Sequence, residues 1–193
     1  MRELSLSRNL EDVAAARRFL VERGYRRLAL FGSSMGGATA LWEGARRPEG
    51  IVASALIAPA IGLRAALERW AGPSGLERWR REGVIRYGDE RVDCELGWQL
   101  IEDLRRHPLE ELIAAYQLPT LIFQGKLDDT VDWREVDGLA DRLGPGVVDL
   151  RLFDGAGHRL TDRLPGLWGL ARDHFARHVE PATGNQRFPE AER

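Results

Sequence analysis

The amino-acid sequence predicts an α/β fold built on a mostly parallel sheet, and three observations lead to this prediction. Short apolar runs alternate with helical segments over much of the chain. The runs at 28–31 and 51–59 are apolar almost throughout, which is typical of parallel strands buried on both faces. The first run passes directly into a helix through Ser34, a serine with glycines on both sides. Alternation of this kind at short spacing favours right-handed connections in one sheet.

The elements before the middle of the chain follow from capping and stop signals. Asn9 is a suitable N-cap for a helix over 10–23, and Gly24 is a suitable stop. A strand over 28–31, a helix over 35–45 and a second strand that Pro59 ends come next. These residues, 1–59, are predicted to form the first part of the α/β core.

Residues 60–116 interrupt the strand pattern and are rich in Arg, Glu and Trp. They are predicted to form a helical cap insertion. Trp70, Trp79 and Trp98 lie in it, and they suggest either an apolar pocket or the cap's own core.

The parallel pattern resumes after the insertion. The remainder of the core is predicted over 117–179, with a strand over 119–125, a helix over 133–143, a strand over 147–153 and a helix over 161–179. The polar tail over 180–193 is predicted to be disordered.

Composition excludes several classes of function. The 193 residues are 44% hydrophobic and 30% charged, with a net charge of −2 and no basic patch of the kind that nucleic-acid binding requires. Cys94 is the single cysteine, so no disulfide or cysteine metal site is predicted. The longest apolar run, 51–61, is too short to cross a bilayer, and the charged first dozen residues do not resemble a signal peptide. We expect a cytoplasmic protein without nucleic-acid or membrane partners.

The segment around Ser34 has the pattern of a nucleophile elbow, Gly32-x-Ser34-x-Gly36. A tight strand-to-helix turn pushes a serine hydroxyl clear of the backbone, where a base can activate it. The competing interpretation is that Ser33 or Ser34 merely caps the following helix.

A serine nucleophile needs a base and an acid, and the chain has candidates for both. Asp128 follows the strand over 119–125, and His158 follows the next strand, so both side chains belong to loops at the carboxyl edge of a parallel sheet. Asp129 is an alternative acid, and Asp154 is expected to act as a loop cap. His107 is expected to be structural. His174 and His178 have metal-ligand spacing, but nothing supplies a third ligand, and a solvated helix face is the preferred interpretation.

Together these motifs resemble the α/β-hydrolase superfamily over essentially the whole chain up to the tail. Within it, the chain is similar to small bacterial esterases and to related acyl-glucuronide and palmitoyl-thioester hydrolases. The resemblance implies a serine hydrolase of carboxylic esters or thioesters, with Ser34, Asp128 and His158 as catalytic triad and no cofactor or metal. A serine peptidase is an alternative. Gln124 and Asp132 depart from the family, which often has His and Pro there, and neither is expected to carry the chemistry.

A further departure concerns the start of the fold. The family has several strands before the elbow, including a His-Gly loop that supplies half of the oxyanion hole, and here only a helix precedes the nucleophile strand. The N–H of Met35 remains as one oxyanion donor. The nucleophile strand is therefore expected to be an open, apolar edge. We expect either a piece of a longer protein, acting only in binding if its site cannot assemble, or a chain that self-associates through this edge.

Overall fold

The structure is a computed structural model that describes residues 2–46, 49–88 and 93–179, so the predicted tail lies outside the described residues. Its six strands are β1 (Leu28–Ser33), β2 (Ile51–Ile57), β3 (Val84–Gly88), β4 (Asp93–Gly97), β5 (Thr120–Gly125) and β6 (Val148–Phe153). Its seven α-helices are α1 (Leu6–Glu22), α2 (Met35–Arg46), α3 (Leu63–Glu82), α4 (Gln99–Leu104), α5 (Leu109–Ala115), α6 (Trp133–Leu143) and α7 (Leu164–Val179).

The central sheet has four parallel strands in the order β1-β2-β5-β6. Side chains of β2 and β5 alternate between two hydrophobic clusters, one on each face. Leu56 and Ile122 pack with α2, α6 and the cap, whereas Ala55 and Phe123 pack with α7. The predicted α/β fold with helices on both faces is confirmed. Because the strands are parallel, the loops after β1, β5 and β6 share one edge of the sheet.

Strand β1 has the open edge expected above, and not the two buried faces that its apolar run alone predicts. Its only sheet neighbour within the described residues is β2, so β1 is an edge strand. Phe31 is 40% exposed and stacks on Trp168 of α7, which is itself 54% exposed. The apolar sequence indicated strand structure correctly, but apolar composition alone cannot distinguish a central strand from an unprotected edge.

Helix α1 begins a turn earlier than predicted, because Ser5 rather than Asn9 is its N-cap. The Ser5 hydroxyl accepts a hydrogen bond from the Arg8 N–H at 3.1 Å. Leu6, in the added turn, is buried in the same cluster as Leu10. The side chain of Asn9 instead donates to the Thr39 hydroxyl.

The insertion is mostly helical, as predicted, but it also contains an antiparallel hairpin of β3 and β4 that the sequence prediction missed. Ile85 and Leu96 are buried on one face of the hairpin, and the Arg86 guanidinium binds the Asp93 carboxylate on the exposed face. Each strand has five residues, so the alternating pattern is too short to stand out among the surrounding helices.

The cap has its own core. Trp79 is fully buried, donates its indole N–H to the Leu96 carbonyl and contacts Trp98 edge to face. Helix α3 is kinked at Gly72, which has a positive φ of 64° immediately before Pro73. Trp79 and Trp98 therefore belong to the core of the cap, which is one of the two interpretations that the sequence suggests.

Candidate active site

Ser34 occupies a tight turn between β1 and α2. Its φ of 53° is positive, a strained value for a residue with a side chain. A Cβ at Gly32 would lie 2.4 Å from the Gly36 carbonyl oxygen, so the close approach of backbone within the turn requires glycine at 32. A Cβ at Gly36 would meet nothing within 4 Å, so the expected steric need for glycine there is absent. The turn has the geometry of a nucleophile elbow.

The two serines at this turn have different surroundings. Ser34 lines the cavity between the sheet edge and the cap, whereas Ser33 is exposed and is not part of the cavity lining. Within the described residues neither hydroxyl makes a hydrogen bond to the first turn of α2, so the interpretation as a helix cap has no support. Ser34 is the serine that is positioned to meet a substrate.

Asp128 and His158 meet at the same edge of the sheet. The Nδ1 of His158 lies 2.9 Å and 3.1 Å from the two carboxylate oxygens of Asp128. Since an ionised carboxylate only accepts, Nδ1 carries the proton and Nε2 of the neutral ring is left as the acceptor. The Asp128 side chain is fully buried and that of His158 is 15% exposed. This is the arrangement of an acid that orients a base.

The loops that carry this pair are in close contact. A Cβ at Gly125, the last residue of β5, would lie 2.2 Å from the carbonyl oxygen of Ala156 in the loop after β6. The Leu127 N–H donates to the same Ala156 carbonyl. Glycine at 125 is therefore needed for the approach that brings Asp128 to His158.

The hydrogen bonds around Asp128 favour its ionised form. Burial alone would raise the pKa of Asp128, but the hydrogen bonds outweigh burial and lower the pKa below its usual value. The donors are His158, the backbone N–H groups of Val131 and Thr130, and the side-chain amide of Gln124. The carboxylate is thus charged at neutral pH.

The alternative candidates lie elsewhere or have other partners. Asp129 accepts a hydrogen bond from the Thr130 hydroxyl, whereas the hydrogen bonds of the His158 Nδ1 go to Asp128. Asp154 is exposed and paired with Lys126 at 2.7 Å, instead of capping a loop. His174 is buried and hydrogen-bonded to the Pro119 carbonyl, which corrects the interpretation of this face as solvated. No cluster of three metal-ligating side chains occurs in the described part of the chain.

His107 has a structural environment, as expected. It is buried beside Trp42, and the Arg46 guanidinium donates to its Nδ1 at 2.8 Å. The Nε2–H therefore donates to the Ser7 hydroxyl, at 3.0 Å. Burial, and then the charge of Arg46, lower the pKa of His107 below its usual value. This histidine connects α1, α2 and the cap.

The nucleophile and the base share the sheet edge, but no hydrogen bond joins the Ser34 hydroxyl to His158 within the described residues. Catalytic hydrogen bonds often tighten only when substrate binds. Met35 is the first residue of α2, so its N–H has no partner within the helix, and Met35 lines the same cavity as Ser34. Its expected role as an oxyanion donor is compatible with this position.

A cavity of about 230 Å³ extends from the elbow to the acid loop. It is bounded by Ser34 and Met35 on one side and by Thr130 and Val131 on the other. The rest of its lining is mainly aliphatic and comes largely from the cap: Ala60, Leu63, Ala66, Leu67, Leu96 and Leu100. Trp70, Trp79 and Trp98 do not line it, so the pocket role considered for them is wrong. At its rim, Arg69 of the cap and Glu135 of α6 form an ion pair at 3.4 Å.

Gln124 is a site residue that the sequence analysis missed. It departs from the resembled family and is not expected, from the sequence, to carry the chemistry. Instead, its buried amide donates to the Asp128 carboxylate at 2.9 Å. An amide directly after the apolar run 121–123 of β5 was the available signal. Asp132, the other departure, has its carboxylate at the N-terminus of α6, where it accepts the Arg134 N–H.

Comparisons with known proteins agree with this geometry. Residues 3–83 match the family model described as serine aminopeptidase, S33. Alpha/beta hydrolase domain-containing protein 10 from mouse superposes with a TM-score of 0.72 at 22% identity, covering 91% of this chain and 71% of that one. This chain has the α/β-hydrolase fold.

Two bacterial structures extend the comparison. One is a protein from Agrobacterium vitis S4 that is described as a hydrolase on the basis of similarity. It superposes with a TM-score of 0.73 at 26% identity, covering 93% of this chain and 70% of that chain. Est1E from Butyrivibrio proteoclasticus has a TM-score of 0.72 at 17% identity, with 90% and 72% covered. No curated protein matches the sequence. The structural matches show the α/β-hydrolase fold, and the family model, which covers residues 3–83, is that of a hydrolase family. Among the described residues, no helix has both the length and the apolar character needed to span a membrane.

Proposed function

We propose that this chain is a serine hydrolase that cleaves carboxylic esters or thioesters. The observation that carries the proposal is the Asp128–His158 hydrogen bond at the sheet edge where Ser34 is held in a strained elbow. An acid that orients a histidine, at the same sheet edge as a serine on a sharp turn, is the arrangement needed to activate a serine.

The reaction then proceeds through an acyl-enzyme. The Ser34 Oγ attacks the substrate carbonyl carbon, and its proton passes to Nε2 of His158. Asp128 stabilises the imidazolium through Nδ1–H, while the Met35 N–H donates to the oxyanion. When the intermediate collapses, the carbonyl carbon–leaving group bond breaks and His158 gives its proton to the leaving alcohol or thiol. Water activated by His158 next attacks the acyl carbon. The acyl carbon–Ser34 Oγ bond then breaks, His158 returns its proton to Oγ, and the carboxylic acid product leaves.

The cavity favours an uncharged acyl group of modest size. Its walls are mainly aliphatic, and the charged side chains in its lining have ion-pair partners: Arg69 pairs with Glu135, and Asp132 pairs with Arg134. A pocket of about 230 Å³ is smaller than the typical range of about 300–1,000 Å³ for drug-sized ligands. A short or medium acyl chain or a single aromatic ring suits this volume. One structure of Est1E from Butyrivibrio proteoclasticus, a structural match of this chain, has ferulic acid bound.

A serine peptidase is the second candidate, because the matched family model is described as a serine aminopeptidase. The same triad cleaves amides and esters, so the distinction depends on substrate. Hydrolysis of p-nitrophenyl butyrate and of aminoacyl p-nitroanilides should be compared side by side. Turnover of the anilides that exceeds turnover of the ester would favour the peptidase.

The decisive experiment uses Ser34→Ala and Ser33→Ala as a matched pair. A fluorophosphonate probe should label the wild type and Ser33→Ala, but not Ser34→Ala. Hydrolysis of p-nitrophenyl butyrate, corrected for background, should fall by about 10⁴-fold or more in Ser34→Ala. Unchanged activity in Ser34→Ala would make the nucleophile assignment wrong. A folded wild type that neither labels nor turns over would favour the alternative of a chain that acts only in binding.

A further inference from the structure

The amide of Gln124 is fully buried at the carboxyl end of β5, beneath the acid of the site. Its Nε2 donates to the Asp128 Oδ2 at 2.9 Å and to the Gly125 carbonyl at 3.0 Å. The Val131 carbonyl lies near the same nitrogen, at 3.4 Å. The amide nitrogen is thus surrounded by acceptors that belong to the strand end and the acid loop.

These neighbours determine which way the amide points. The opposite orientation would direct the Gln124 Oε1 at a carboxylate and two carbonyls, all of which only accept hydrogen bonds. In the orientation that forms, Oε1 is buried and has no hydrogen-bond partner among the described residues. A buried acceptor without a partner is destabilising, and an apolar side chain at this position would avoid it. Fold stability alone therefore does not account for an amide here.

The contacts of Asp128 show what the amide does. Its Oδ1 accepts the N–H groups of Thr130 and Val131, both at 2.9 Å. Its Oδ2, the oxygen closer to the His158 Nδ1, has the Gln124 amide as its other donor. Without Gln124, one oxygen would be held by two backbone groups and the other by the histidine alone. The carboxylate would then be free to turn away from the line of the imidazole.

We propose that Gln124 is a positioning residue, which holds the Asp128 Oδ2 in line with the Nδ1 of His158 and stabilises the carboxylate. This inference rests on the proposed function, because it concerns the same acid–base pair. The lowered pKa of Asp128 agrees with it, since the Gln124 hydrogen bond is among its causes. Among the described residues, His158 is the titratable side chain that is hydrogen-bonded to Asp128, and the other hydrogen bonds to this carboxylate come from backbone groups and from this amide.

Three substitutions separate positioning from bulk. Gln124→Leu keeps the volume and removes the donor, Gln124→Glu puts a second carboxylate beside Asp128, and Gln124→His restores a ring N–H donor. In Gln124→Leu we expect kcat for p-nitrophenyl butyrate to fall about tenfold with KM nearly unchanged, because a charge-assisted hydrogen bond is lost. The acidic limb of the kcat/KM profile should move to higher pH, and further in Gln124→Glu. Gln124→His should recover part of kcat.

Thr120→Val is the matched control. Thr120 is buried at the other end of β5, where its hydroxyl binds Ser54 and Tyr116. This variant should lower the unfolding temperature and leave the acidic limb in place. If Gln124→Leu also lowers only the unfolding temperature, with kcat and the acidic limb unchanged, the positioning role is overturned.

A measurement independent of turnover distinguishes this failure from failure of the proposed function. Carbon NMR of the Asp128 carboxyl should show its pKa raised in Gln124→Leu relative to the wild type and to Thr120→Val. An unchanged carboxyl titration contradicts the inference even in an active enzyme. A raised pKa in a chain whose Ser34 does not react with a fluorophosphonate would support Gln124 as the positioning residue and contradict the hydrolase.

Discussion

The site has an acid–base half at the ends of β5 and β6 and a nucleophile half at the end of β1. The two halves differ in how many hydrogen bonds hold their polar groups. Both oxygens of Asp128 have two or more donors, and the loop of His158 is in contact with Gly125. The Ser34 hydroxyl has no hydrogen bond in the described residues, and its strand is an edge. The acid and base are therefore preorganised, whereas the serine depends on backbone strain and on substrate for its geometry.

Asp128→Asn is the substitution in the acid–base half for which we expect the largest loss of activity. An amide in place of the carboxylate cannot hold the required tautomer of His158 or stabilise its imidazolium, so we expect kcat to fall by about 10⁴-fold. Asp129→Asn is the matched control at the neighbouring position and should have a mild effect. Steady-state hydrolysis of p-nitrophenyl butyrate measures both. The reverse ranking would assign the acid to Asp129.

The elbow itself is tested by a pair of glycine substitutions. In Gly32→Ala the new Cβ would lie 2.4 Å from the Gly36 carbonyl oxygen, so the backbone of the turn must shift. Displacing the nucleophile by about 1 Å can cost about 10²-fold in rate, and we expect a loss of that order with a lower unfolding temperature. Gly36→Ala is the control, because its Cβ meets nothing within 4 Å. Equal losses in both variants would mean that the elbow is crowded on the Gly36 side too.

Residue patterns allow the three candidate catalytic residues to be predicted, but not all of the contacts that hold them. Ser34, Asp128 and His158 could be selected because each follows a recognisable strand and a glycine, and parallel strands bring those loops to one edge. Their catalytic roles stay predictions. Gln124 could not be selected, because its function depends on a side chain turning back to a loop four residues later. The open edge of β1 could be expected from the order of the elements, whereas the hairpin of the cap could not, because each of its strands has five residues and the alternating pattern is too short to recognise.

The open edge of β1 leads to a proposal about assembly. We propose that the chain associates with a second copy through β1, which has neither charge nor proline to block strand pairing and carries the exposed Phe31–Trp168 stack beside it. Phe31→Lys should weaken association by about tenfold or more, since burying a phenylalanine contributes roughly 1.5–3 kcal/mol. Sedimentation velocity over a range of concentrations measures this.

Phe19→Lys is the control for the edge. Phe19 is also an exposed aromatic, but it lies on α1, where Arg23 covers its ring. It should leave association unchanged. A wild type that stays monomeric at all concentrations would contradict the proposal, and equal effects of the two lysines would indicate non-specific contact.

The smallest effect is expected at His107, which holds the nucleophile half to the cap. Burial and Arg46 lower its pKa in the folded chain, so below about pH 6.5 the unfolded chain takes up a proton that the folded chain resists. The contribution of His107 to the free energy of unfolding is therefore full above that pH and is lost as the pH falls toward its pKa in the folded chain. His174, which is buried too, has a lowered pKa and acts in the same direction.

Between pH 7.5 and 5.5 we expect the unfolding temperature to fall by a few degrees, because about 1 kcal/mol corresponds to roughly 2–4 °C in a chain of this size. In His107→Gln, whose amide can still accept from Arg46 and donate to Ser7, the fall should be smaller. Calorimetry at the two pH values measures the difference, and identical slopes in the wild type and His107→Gln would show that this histidine does not couple the cap to pH.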